Sequence, residues 1–112
     1  MLAVYRNALQ QHGLESAVWG HIGDNHLHVN ILPRNEQDFM TGKSLHEEWV
    51  QEAVRLGGVV SAEHGVGKLK AHFLAMMYGK EALQEMVAMK RVFDPLGLLG
   101  AGNLIDLSEE VR

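Results

Sequence analysis

The stretch GHIGDNHLHVNILP, Gly20 to Pro33, decides how this chain is read. Its second half alternates: Leu27, Val29 and Ile31 point to one side, while His26, His28, Asn30 and Leu32 point to the other. That period of two is the signature of a strand with one buried face. The preceding ESAVWGHI, Glu15 to Ile22, reads as a second strand, and Gly23-Asp24-Asn25 between them is a turn signal. Together they predict a β-hairpin closed by a loop over residues 23–26, which sets Ile22 opposite Leu27 and His21 opposite His28. Three of the seven histidines of the chain fall within this hairpin.

Outward from the hairpin, Leu2 to His12 has the composition of a short helix, with Gly13 as its stop. Glu36 to Leu56 reads as a longer one that begins in earnest near Gly42 or Ser44, because Ser44 and Glu47 have the form of a capping box. Leu45, Trp49, Ala53 and Leu56 recur at helical spacing before Gly57-Gly58 ends the segment. Val59 and Val60 suggest a short third strand running into the glycine-punctuated SAEHGVGK. LKAHFLAMMYG is then a short helix closed by Gly79. KEALQEMVAMKRVF is a strongly patterned helix, with Ala82, Met86, Met89 and Phe93 on one face, broken by DPLGLLGAG. The tail NLIDLSEEVR is expected to be partly ordered.

This order predicts an α+β fold: a small antiparallel sheet with helices on one face, arranged as a ferredoxin-like unit that lacks its first strand. A missing strand leaves a sheet edge exposed, a feature normally covered by a partner, and a homodimer could form through it. Residues 1–112 are therefore expected to be one domain cut from something larger.

Composition narrows the function classes. With 46% hydrophobic and 21% charged residues the chain is an ordinary globular sequence. Its net charge of −4 and the lack of a basic run argue against a nucleic-acid partner. The absence of cysteine removes disulfides, thiolate metal sites and cysteine nucleophiles. No apolar run is long enough for a transmembrane segment, and the first residues lack the pattern of a signal peptide, so a cytoplasmic location is the default. GVGK at 65–68 is not a phosphate-binding P-loop, since Leu69 stands where Ser or Thr is required, and HEEWV at 46–50 lacks the second histidine of a metalloprotease.

The polar face of the hairpin remains. Opposed side chains on paired strands have Cβ atoms about 4.5–5.5 Å apart, close enough for two imidazoles to share one ion. Neutral nitrogen ligands suit Zn²⁺ and other first-row divalent ions. His21 and His28 are the candidates, with Asn30 two residues along the same face, and a further ligand is needed from elsewhere. Glu63-His64 offers a carboxylate and an imidazole in a loop where Gly65 and Gly67 permit close approach. One could ligate a metal while the other acts as a general base, since imidazole titrates near neutrality. His12, His46 and His72 read as ordinary polar positions, His26 as a turn-flanking polar residue, and the methionines as core filler.

GHIGDNHLHVNIL, GGVVSAEHGVGKLK and MKRVFDPLGLL, taken in order, resemble the C-terminal domain of FAD-linked oxidases, the family of D-lactate dehydrogenase, the glycolate oxidase flavoprotein subunit and D-2-hydroxyglutarate dehydrogenase. The family pattern is roughly GHxGDGNLHxN, then GEHGxG, then KxxFDPxGxLNPGK. The resemblance implies a divalent metal, Zn or Mn, held by His21, His28 and Glu63, with His64 as the base near the substrate and Asn30 as a substrate contact. It implies oxidation of a small D-2-hydroxy acid to the 2-oxo acid, with hydride passing to FAD. The flavin would be held by an FAD-binding domain or partner chain outside these residues, so that the chain alone lacks turnover. Two stretches depart from the pattern. GDGN reads Gly23-Asp24-Asn25-His26, so that His26 could compete as a ligand, and NPGK reads Gly100-Ala101-Gly102-Asn103. Two other functions stand beside this one: a non-catalytic folding or dimerisation module with a vestigial site, and a flavin-free metallohydrolase.

Overall fold

The computed structural model describes residues 1–105 and Leu107. The chain divides into two compact units, Met1–Gly58 and a second that begins at Val59.

The first unit holds α1 (Leu2–Gln11), β1 (Glu15–His21), β2 (His26–Leu32) and α2 (Glu36–Arg55). The strands pair antiparallel as a two-stranded sheet, with Glu15 opposite Leu32, Val18 opposite Val29 and His21 opposite His26. Both helices pack on the Val29–Ile31 face. Leu9 of α1, Leu14, and Leu45 and Trp49 of α2 form the buried cluster, with Tyr5, Val29 and Ile31 packed around it. Tyr5 meets Trp49 edge to face at 4.8 Å, a favoured aromatic geometry. The helix–strand contact is close at Gly42, where a Cβ would stand 3.2 Å from Ile31 Cδ1. A glycine inside α2 is thus explained by packing. Outside the core, the Arg34 guanidinium donates to Asp38 Oδ2 at 2.9 Å and to the Gly13 carbonyl at 2.9 Å, fastening the β2–α2 corner to the turn after α1.

The second unit contains a 3₁₀ turn at Ala62–His64, another at Ala71–Phe73, and α3 (Leu74–Phe93). Gly79 takes the non-helical values φ +81° and ψ 167° and divides α3 into two helices, so the stop expected at this glycine holds. Phe73 and Leu74 are buried. At the end of α3, the nearly buried Asp94 carboxylate accepts from Lys90 Nζ at 2.9 Å and from the backbone N–H groups of Leu98 and Leu99 at 2.9 and 3.0 Å. Lys90 Nζ also donates to the Leu99 carbonyl at 2.8 Å. The DPLGLL segment is therefore a turn wound around one carboxylate. The Leu104 N–H in turn reaches the Gly67 carbonyl at 3.2 Å, tying the end of the third motif to the loop of the second.

The α+β class and the helices on one sheet face hold. The third strand does not: Val59 and Val60 form no strand among the described residues, and a two-stranded hairpin replaces the ferredoxin-like sheet. Two valines after Gly57-Gly58 offer too short a run to build a ladder. The capping-box reading of Ser44 also fails, because Ser44 lies inside α2. The cap is Asn35, whose side chain accepts from the Asp38 N–H at 2.8 Å. Of the tail, Asp106 and residues 108–112 lie outside the described residues. Among the described residues no helix is long and apolar enough to cross a membrane.

Candidate functional site

The hairpin carries its histidines on the face opposite the core. That face presents Trp19 and His21 from β1 beside His26, His28 and Asn30 from β2. The register differs from the one the loop signal suggests. His21 lies opposite His26, and His28 lies opposite Trp19. The cause is local: Ile22–Asp24 forms a 3₁₀ turn and Asn25 takes the left-handed conformation at φ +54°, which Asn tolerates. The loop therefore closes at residues 22–25, and His26 begins the strand. A two-residue shift keeps every side chain on its expected face, whereas a one-residue shift would have turned the histidines into the core.

The imidazoles are neighbours. His21 and His26 have ring centroids 5.7 Å apart, and His26 and His28 are 4.5 Å apart. His28 also stacks on Trp19 at 5.8 Å with 28° between planes, which fixes the plane of the ring. Asn30 is exposed and faces the small Ala17, leaving its amide open to a ligand. Imidazole nitrogens grouped on one face of a hairpin are a donor set that suits a first-row divalent ion.

Two positioning residues lie beyond the sequence reading. Gly20 has φ +144°, and a Cβ there would run into the carbonyl oxygen of His26. Only glycine lets β1 approach the histidine strand so closely. The available signal was a glycine inside a strand pattern, which marks a bulge or a close backbone approach. Trp19, the platform under His28, carried no comparable signal.

Glu63 and His64 belong to the second unit, on the 3₁₀ turn Ala62–His64, in place of the strand end that was expected. Both side chains are more than half exposed, and His64 Nε2 stands 3.5 Å from Glu63 Oε1. The His64 N–H donates to the Ser61 carbonyl at 3.0 Å, holding the turn, and Gly65 leaves it at φ +69°. An apolar groove of this unit, between Ala82, Met86 and Met89 of α3 and Leu99, Leu104 and Ile105, includes neither residue.

The chain belongs to the FAD linked oxidases, C-terminal domain, whose family model matches residues 1–104. It is 31% identical over 106 residues to the glycolate oxidase subunit GlcD of Bacillus subtilis, covering 93% of this chain and 23% of that protein. It is 41% identical over 92 residues to the D-2-hydroxyglutarate dehydrogenase of Stutzerimonas stutzeri, covering 78% of this chain and 20% of that protein. It is 32% identical over 102 residues to the mitochondrial D-lactate dehydrogenase [cytochrome] of Arabidopsis thaliana, covering 89% of this chain and 18% of that protein. The chain thus spans about a fifth of the length of these relatives.

Proposed function

We propose that this chain is the substrate- and metal-binding part of a flavin-dependent dehydrogenase or oxidase that converts a D-2-hydroxy acid to its 2-oxo acid. The observation that carries the reading is the hairpin: its histidines and Asn30 share one face, on a unit whose family and relatives are flavin-linked hydroxy-acid enzymes.

In this reading His21, His28 and Glu63 hold a divalent cation, zinc or manganese. When bound, the cation supplies Lewis-acid polarisation of a hydroxyl and a carboxylate oxygen. When bound, the flavin supplies the two-electron acceptor for the Cα hydride. Asn30 orients the acid by hydrogen bonding from the open edge of the hairpin face. His64 takes the hydroxyl proton, so that loss of the proton and of the hydride leaves the 2-oxo acid. Glu63 would supply the anionic ligand from the same 3₁₀ turn that carries His64.

FAD is assigned to another domain or chain. The support is that the chain matches the C-terminal domain of FAD linked oxidases and spans about a fifth of the length of its relatives. The small acid, the metal and the flavin-bearing partner are then the three things this chain binds.

The test is reconstitution. This chain is joined to the Bacillus subtilis relative from which the matching C-terminal region has been removed, and dye reduction is followed with D-lactate, glycolate and D-2-hydroxyglutarate. Turnover with one of them that is lost in His64→Ala supports the reading. A flavin-loaded, folded fusion that reduces dye with none of them overturns it. Ester or phosphate hydrolysis by the zinc-treated chain without flavin would favour the metallohydrolase instead.

A further inference from the structure

We infer that His26 is a third imidazole ligand on the hairpin and that it biases the site toward zinc over manganese. The inference rests on the proposed metal site of His21 and His28, and adds to it the residue at which this chain departs from the family pattern, which has Asn at that position.

The geometry comes from the hairpin alone. His26 lies directly across from His21 and two residues before His28, so it sits beside both on one face. Two imidazoles that share a tetrahedral zinc through bonds of about 2.0–2.1 Å place their ring centroids roughly 5 Å apart. The His21–His26 and His26–His28 separations of 5.7 and 4.5 Å fall on either side of that distance. The ring planes are tilted by 51° and 53°, an arrangement in which nitrogens can converge, as they cannot in a flat stack. Asn25 enables this by taking the left-handed turn position, which moves His26 out of the loop and into the strand. Gly20 admits the His26 backbone against β1.

The chemical consequence concerns metal choice. An Asn at this position could offer only a neutral oxygen, whereas imidazole is a borderline-soft nitrogen donor. Nitrogen-rich sites favour zinc, while oxygen-rich sites suit manganese. His26 is then a specificity residue for the cation.

The experiment titrates the full chain with Zn²⁺ and, separately, Mn²⁺ by calorimetry, for the wild type and for His26→Asn, the family residue. Losing a direct ligand is expected to weaken Zn²⁺ binding by on the order of 10- to 100-fold, at least the loss seen for groups that merely orient ligands, with Mn²⁺ binding changed much less. A Zn²⁺ affinity within about threefold of the wild type would overturn the role of His26 and leave the proposed site of His21 and His28 standing. No Zn²⁺ binding by the wild type would overturn both. A second measurement on the wild type guards against a variant that misfolds: histidine ring ¹⁵N shifts recorded at one equivalent of Zn²⁺. The ring nitrogens of His21, His26 and His28 should move while those of His12, His46 and His72 stay. A stationary His26 sinks the inference.

Discussion

At the scale of single residues, this chain separates groups that could ligate from groups that shape the site. Gly20 is of the second kind. Any Cβ at φ +144° against the His26 carbonyl forces the hairpin apart, so Gly20→Ala is expected to lower the melting temperature and weaken Zn²⁺ binding together. Unchanged zinc affinity in a destabilised variant would show that the close strand approach is structural only. Asp94 is likewise a shaping residue. The hydrogen bond from Lys90 holds its carboxyl below the ordinary aspartate value of 3.8, helped by the N–H groups of Leu99 and Leu98. A carboxyl depressed in the folded state contributes stability that is present above its unfolded pKa and lost as pH falls through its folded one. The melting temperature of the wild type should therefore exceed that of Asp94→Asn at pH 7. The gap should start to shrink near pH 4 and close at lower pH, where the protonated acid resembles the amide. A gap that is constant from pH 7 to pH 2 would contradict this account. The histidine face itself was legible in the sequence, because alternation assigns faces independently of register. The pairing of His21 with His26 was not, because it depends on which loop residue accepts a positive φ, and GDNH offers both Gly23 and Asn25.

At the scale of elements, α2 shows how local signals mislead. Ser44 and Glu47 satisfy the capping-box spacing, and Gly42 looks like a break, yet the helix runs unbroken from Glu36. Asn35 caps it, and the acidic Glu36 and Asp38 in the first turn suit the positive end of the helix dipole. Asn35→Ala should cost about 1 kcal/mol in chemical denaturation. Ser44→Ala, on the exposed middle of the helix, should cost essentially nothing, and the reverse order would restore the capping-box reading. Gly42 survives mid-helix because Ile31 leaves no room for more. Gly42→Ala gains about 1 kcal/mol of helix propensity but presses a methyl against a β-branched side chain that has little rotamer freedom. Overpacking of this kind costs about 1–3 kcal/mol, so the net effect should be destabilising. Adding Ile31→Val removes the Cδ1 atom at 3.2 Å and should recover part of the loss. A double variant no more stable than Gly42→Ala alone would place the strain elsewhere. The third strand was misread for the opposite reason: Val59-Val60 has β propensity, but propensity without a paired neighbour makes no strand.

At the scale of the whole molecule, the motifs were legible in order and the division into two units was not. Motif spacing reports which residues a family keeps, while a boundary at Gly58 depends on which apolar side chains meet. The buried cluster of Leu9, Leu14, Leu45 and Trp49, with its surround of Met1, Val4, Tyr5, Ala8, Val29 and Ile31, lies wholly within residues 1–58. This segment should therefore fold by itself. A core of this size supplies only about 3–5 kcal/mol, so the fold should be marginal, with a cooperative but low thermal transition and the blue-shifted fluorescence of a buried Trp49. Leu45→Ala, at a position 3% exposed, removes about 2–5 kcal/mol and should abolish the transition. If the hairpin imidazoles bind zinc without help from the second unit, a hundredfold excess over Kd adds about 2.7 kcal/mol and raises the transition by several degrees. That rise should disappear in His28→Ala. A segment with no cooperative transition, with or without zinc, would show that the core of the first unit is insufficient alone. A cooperative segment indifferent to zinc would show that the imidazoles of residues 1–58 do not hold the cation by themselves.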